Sequence, residues 1–334
     1  MNRTTILLLL LAFALSVVIV TPFVGMVDVP VGVLWGDTAT ENVGARAVDV
    51  FWNLRVPRVA VSFLAGAALA ISGMVFQAMF RNPLATPFTL GVSSGASLGA
   101  AISINLGWSF VILGFPAISF SAFAGALLAI GLVYGLSRAR RGFSSATMLL
   151  AGVAVSFFFS SLILFIQYIS DFTQSFQMIR WVMGGLENVI GAGDVLNVLP
   201  FVVAGTLTVA YLTRELNLIT TGEQLAASRG VEVGKTKKIL FLVTSLMIGA
   251  VVAVCGPIGF VGLMAPHICR LLIGADHRYL TPATWLFGGA FLTLCDTLSR
   301  TVTAPTELPV GIITALLGGP FFLWLLIGRG GDTA

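Results

Sequence analysis

The stretch Thr213–Lys238, TRELNLITTGEQLAASRGVEVGKTKK, is a polar island between two apolar runs of membrane-spanning length. It holds Arg214, Glu215, Glu223, Arg229, Glu232, Lys235, Lys237 and Lys238, so it is expected in water. Its basic excess places it on the cytoplasmic side of a membrane. Within it, Glu223–Gly230 (EQLAASRG) reads as a short helix, preceded by Gly222, built on Ala and Leu, and stopped at Gly230. A short helix displayed at a membrane face between spans is suited to take a push from a soluble partner.

The composition around this island is that of a chain solvated by lipid. Apolar residues make up 57% of the 334 residues and charged ones 10%, with a mean hydropathy of +1.00. That is too little charge to clothe a soluble surface. Lipid offers no hydrogen-bond partners, and runs this long lack the alternation of a barrel, so the fold class is an all-α polytopic membrane protein. About ten transmembrane helices are expected, at roughly 4–24, 57–80, 89–106, 113–136, 144–168, 193–213, 238–256, 258–273, 282–301 and 309–327. The Ala12-x-Ala14 triplet lies inside the first apolar run, which continues past Val20, so that run reads as a retained helix. Gly256-Pro-Ile-Gly259 must supply a tight reversal between the seventh and eighth helices.

If the first helix runs outward, 13 of the 18 basic residues fall inside, including all three lysines. Arg46, Arg55, Arg58, Arg180 and Arg300 fall outside, and both termini are then cytoplasmic. In the outer segment Asp171–Ala192, Phe176–Gly185 (FQMIRWVMGG) suits an interfacial helix. Gly91, Gly95 and Gly99 on the third helix permit close packing. GAALAISG (Gly66–Gly73) in helix two is echoed by GAVVAVCG (Gly249–Gly256) in helix seven. An offset of five helices makes the copies run in opposite directions. The expectation is an inverted repeat of two five-helix halves, roughly 1–192 and 193–334, in a single domain 1–334 whose cytoplasmic loop is 213–238.

Few residues could carry chemistry. Arg229-Gly-Val-Glu-Val-Gly-Lys-Thr236 approaches a phosphate-binding loop, but Arg229 stands where the leading glycine is required. Cys255, Cys269 and Cys295 have no CxxC spacing, and His267 and His277 sit in no ligand motif, so no catalytic residue and no metal site is expected. The net charge of +4 is scattered at loop edges and carries no nucleic-acid signal. Asp296 is the one carboxylate deep in a span and needs a partner, which Arg300, four residues on, could supply. Arg55 and Arg58 flank Pro57 at the outer mouth of helix two. From spacing alone they read equally as snorkelling anchors or, with Arg300, as a cationic docking patch. On the fifth helix Gly152, Ser156, Ser160 and Gln167 share one face, which fits a pore wall and a helix–helix seam alike.

Taken together, these residues resemble the permeases of binding-protein-dependent ABC importers for iron-siderophores, haem and cobalamin. The matching stretches include Leu54-Arg-Val-Pro-Arg58, Gly66–Gly73, Asn82-Pro-Leu-Ala85, Leu90–Ala96 and Leu150-Ala-Gly-Val153. Gly222-Glu-Gln-Leu-Ala226 with Arg229-Gly-Val231, Gly256–Gly262, Pro266-His-Ile268 with Arg270, Asp276-His-Arg278, Asp296 with Arg300, and Glu307–Gly311 follow in order. The resemblance implies a homodimeric permease of the bacterial inner membrane with one path at the two-fold interface. It implies two cytoplasmic ATP-binding subunits, which hold the ATP and Mg, and a periplasmic or lipid-anchored substrate-binding protein. It implies docking by Arg55, Arg58 and Arg300, and coupling to the ATPase through Glu223, Gln224, Leu225, Ala226, Arg229 and Gly230. An inner gate at Asn82, Pro83, Leu84, Ser144 and Ser145 is implied too, with the path lined by the fifth helix. Ser145-Ala146 departs from the paired hydroxyls of some cobalamin permeases, which leaves the gate's detail open. An iron chelate is the expected cargo, with cobalamin the alternative. An ion-coupled secondary carrier is the rival from another class, and the poverty of intramembrane acids weighs against it.

Overall fold

In the computed structural model, the described residues are 2–25, 27–32, 47–112, 114–139, 145–189 and 191–329. Each of the ten expected ranges carries a helix. They are α1 (Arg3–Val20), α2 (Val56–Phe80), α3 (Val92–Asn105), α4 (Ala117–Ala139) and α5 (Ser145–Ile169). After the short outer helix α6 (Phe172–Val182) come α7 (Ala192–Tyr211), α8 (Thr213–Thr221), α9 (Glu223–Ser228) and α10 (Val233–Cys255). The chain closes with α11 (Val261–Ile273), α12 (His277–Thr301) and α13 (Val310–Arg329). Among the described residues, six helical segments are long and apolar enough to cross a membrane by length and composition. Among the described residues the strand structure is a two-stranded ribbon, β1 (Val111–Ile112) paired antiparallel with β2 (Phe115–Pro116).

Helix α2 is the axis of the molecule. From Val59 to Phe80 every residue except Ala60 and Phe63 is buried, as expected of a helix that is apolar all round. Its glycines let neighbours approach to backbone contact. A β-carbon on Gly66 would overlap the carbonyl of Gly288 on α12, and one on Gly73 would overlap the carbonyl of Gly262 on α11. Gly95 and Gly99 of α3 meet Gly125 and Ser121 of α4 in the same way. Small residues at crossings are how helices associate in lipid, where no hydrophobic force drives them together.

Several boundaries differ from expectation for identifiable reasons. Helix α12 starts at His277 and not near Pro282, because the Asp276 side chain caps it by accepting from the Arg278 amide at 3.1 Å. Helix α10 starts at Val233, so Lys235, Lys237 and Lys238 are helical. The third helix begins after Gly91, which sits outside it at φ 78°. The outer helix α6 begins at Phe172, not Phe176, because Asp171 and Gln174 form a capping box. The polar island holds a second amphipathic helix, α8, with Leu216 and Ile219 buried, where the sequence reading has only loop before Glu223. The reversal after α10 is made at Gly256, where φ is 65°.

Gly73→Ala should destabilise the protein by at least about 1–3 kcal/mol through overpacking against the Gly262 backbone. Gly131→Ala, whose β-carbon meets nothing within 4 Å, should behave as the parent. Melting of detergent-purified protein followed by size-exclusion recovery reads the difference.

Candidate functional site

Three zones gather polar side chains, one at the end expected to face outward, one in the middle and one at the end expected to face inward, called outer, middle and inner below. At the outer end Asp296 of α12 is fully buried. Arg58 at the start of α2 grips it, with Nη2 2.9 Å from Oδ1 and Nε 3.1 Å from both carboxylate oxygens. Arg58 Nη1 also donates to Glu307 at 2.8 Å. Arg300 is the further partner, with Nε 3.2 Å from Asp296 Oδ2. The expected i,i+4 pair therefore exists, but the stronger clamp comes from a residue 238 positions away, which spacing along one helix cannot reveal. Arg55 is buried and donates to the carbonyls of Pro22 at 3.0 Å and Val27 at 2.5 Å. These three arginines are thus mostly engaged within the chain and are not free surface cations. Together with Glu187 and Glu307 they line an outer cavity of about 560 Å³.

In the middle zone the α5 face divides. A β-carbon on Gly91 would stand 3.4 Å from the Gly152 carbonyl oxygen and 3.5 Å from Ser156 Oγ, so these two residues form a seam with the start of α3. Further along, Ser160 and Gln167 line a cavity of about 570 Å³ together with Ser93, Ser97, Phe260 and Gly311. That face thus packs against α3 in one half and borders a cavity in the other.

At the inner end Asn82 Oδ1 accepts from the Leu84 amide at 2.9 Å, which sets the turn after α2. Arg81, Asn82 and Pro83 line a cavity of about 320 Å³ with Gln77, His267 and Arg270. Gln77 accepts a hydrogen bond from Arg270 and donates to the Gly262 carbonyl at 3.2 Å. Leu84 is exposed. Ser144 lies outside the described residues, and Ser145 opens α5.

Helix α9 projects Gln224, Leu225 and Arg229 outward while Ala226 is buried. It ends in a Schellman motif: the Val231 amide donates to Ala226 O, the Gly230 amide donates to Ala227 O, and Gly230 sits at φ 84°. Glu223 in its first turn receives Lys237 Nζ at 2.5 Å. Lys237 itself is only 1% exposed, which corrects the expectation that the whole island lies in water. Nearby, Asn217 of α8 donates to Asp276 Oδ1 at 2.8 Å and accepts from the His277 amide at 2.9 Å. Hydrogen bonds from Arg278 hold the Asp276 carboxyl well below the usual carboxylate range, so it stays charged. Neither Lys237 nor Asn217 was singled out from sequence. Spacing marks neither: Lys237 sits in the basic run Lys235-Thr-Lys-Lys238 and looks like its neighbours.

Among the described residues no group of His, Cys, Asp and Glu could hold a metal ion, and the three cysteines are buried and unpaired with one another.

A model of the FecCD transport family matches residues 7–328. The chain is 44% identical to the cobalamin import system permease protein BtuC of Halobacterium salinarum, over 86% of this chain and 76% of that one. It is 41% identical to the hemin transport system permease protein HmuU of Yersinia pestis, over 84% of each. A solved structure described as an inward-facing conformation of a putative metal-chelate type ABC transporter superposes with a TM-score of 0.86. That match is at 28% identity and covers 97% of this chain and 99% of the other.

Replacing Asp296 by Ala would leave Arg58 and Arg300 without their shared counter-charge in a buried site. Removing one partner of such a pair costs about 3–5 kcal/mol. Glu307→Gln, at a side chain that is 34% exposed, should cost under about 1 kcal/mol. Thermal melts of the two variants in detergent should separate accordingly.

Proposed function

The chain belongs to the FecCD transport family, and from that premise we propose that it crosses the membrane ten times and works as one of two identical halves around a shared path. Its family makes it a multi-pass ABC importer permease of the bacterial inner membrane for a metal chelate, with ATP hydrolysis left to a separate subunit. On this reading both termini are cytoplasmic. Two ATP-binding subunits carrying ATP and Mg seat on Glu223–Gly230, and a periplasmic or lipid-anchored binding protein delivers the cargo. ATP closes the ATPase dimer, the inner helices move as rigid levers, and the two copies rock between inward- and outward-open states.

The observation that carries this reading is helix α9: a short helix closed by a Schellman motif, with an exposed Gln224–Leu225–Arg229 face and glycines at both ends. The inverted repeat is supported by matched packing. Gly66 of α2 lies against α12, and Gly249 of α10 lies against Ala126 of α4, as a swap of the two halves requires. The seam at Gly152 and Ser156 and the cavity at Ser160 and Gln167 support a path along α5. Asn82, Pro83 and Leu84 with Ser144 and Ser145 form the inner gate in this scheme. At the outer end an acidic binding protein would displace the partly exposed Glu307 from Arg58, while Asp296 stays in place, and Arg55 and Arg300 would complete the contact.

For the cargo, the two named relatives handle cobalamin and hemin, which favours a bulky macrocyclic chelate over a siderophore. We place cobalamin first, ahead of the iron chelate expected from sequence, and haem second. A mild, weakly polar lining suits such a cargo, because tight grip would prevent release.

Proteoliposomes holding the permease, its ATPase and its binding protein, offered cyanocobalamin, haemin and a ferric siderophore in parallel, should take up cobalamin fastest and only with ATP. Glu223→Lys should cut that uptake at least tenfold while the complex still purifies intact. Uptake driven by an ion gradient without nucleotide would overturn the reading.

A further inference from the structure

The segment that carries α9 contains a weak point. Gly222 joins α8 to α9 at φ 140° and ψ 140°, with nothing within 4 Å of where a side chain would be. A push delivered to α9 alone would be absorbed by rotation about this glycine, and the helices in the membrane would not feel it. Two polar links straddle the hinge. On one side, Glu223 of α9 is tied to Lys237 of α10. On the other, Asn217 of α8 is tied to Asp276 and His277 at the start of α12, with Asn217 Oδ1 also 2.7 Å from His277 Nδ1.

We propose that these links form a two-point mount that braces the Gly222 hinge, making Lys237 and Asn217 positioning residues that carry the stroke of the ATPase into α10 and α12. The burial of Lys237 is the telling feature. Its neighbours Lys235 and Lys238 reach water, and a lysine this close to the membrane surface can ordinarily snorkel there. Keeping the ammonium dry has a desolvation cost that only a close counter-charge offsets. Glu223, half-exposed on the lever, is that counter-charge. Downstream, α10 and α12 both pack on α2, and α12 does so through the Gly66–Gly288 contact, with no compliant side chain at the crossing. A displacement of α9 therefore reaches the central helix through α10, while Asn217 holds α8 on α12 so that the far side of the hinge cannot give way.

This inference rests on the proposed seating of the ATPase on α9, and the experiment separates the two. The readout is cargo imported per ATP hydrolysed by the full complex in proteoliposomes, with cyanocobalamin and haemin each supplied. Lys237→Met should lower this ratio at least fivefold, with ATP hydrolysis continuing, while Lys237→Arg keeps at least half of it. Asn217→Leu should lower the ratio independently. The exchange Glu223→Lys with Lys237→Glu should recover much of what Glu223→Lys alone loses, since it restores the link with its charges reversed. An unchanged ratio in both Lys237→Met and Asn217→Leu would overturn the mount, as would equal loss in Lys237→Met and Lys237→Arg. A cysteine placed at the exposed Leu225 should cross-link to the ATPase. Absence of that cross-link would instead sink the seating on α9, and the mount with it.

Discussion

Where Gly73 of α2 meets Gly262, and Gly66 meets Gly288, two helices come so near the central one that no side chain fits between them. In lipid the backbone must satisfy its own hydrogen bonds, and apolar side chains gain little by leaving one hydrocarbon for another. What remains to hold a bundle together is the density of contact, and contact is densest where glycine removes the spacer. The near-total burial of α2 follows from this. So does the low burial of α5, which barely touches α2.

Against that apolar packing, the ionic groups act as fixed points at the two ends. Asp296, Arg58, Arg300 and Glu307 tie the outer end of α2 to α12 and to the segment that follows it. Lys237, Asn217 and Asp276 tie the inner helices to α10 and α12. Apart from Arg300 and Asp296, which share α12, the partners come from different elements. Breaking them leaves a charge stranded where water is scarce, which makes their geometry more specific than their net contribution to stability is large.

Much of this was legible in the chain because membrane helices announce themselves by length and composition. Each range read as a span holds a helix, six helical segments among the described residues being long and apolar enough to cross a membrane, and the short helix α9 was visible from Gly222 and Gly230. Its boundaries were less legible where a polar first turn precedes an apolar run, as at Val233 and His277, because hydropathy starts counting too late. The cross-helix chemistry was not legible at all. The Arg58–Asp296 clamp joins residues from the two ends of the chain, and Lys237 looked like one basic residue among several. The seam on the α5 face was not legible in one dimension, since it depends on Gly91, 61 residues earlier than Gly152, lying against Gly152 and Ser156.

That contact has a mechanical consequence. With Gly91 seated on the Gly152 carbonyl, the start of α3 and the adjoining part of α5 behave as one plate, presenting the hydroxyls of Ser93, Ser97 and Ser160 on a common wall. Such a wall cannot part along its own join without opening a void in lipid. If the proposed path runs beside it, any change in its bore would fall to the facing side, where Phe260 and Gly311 hang on the reversal after α10 and on α13, and those two elements would set how large a molecule could pass.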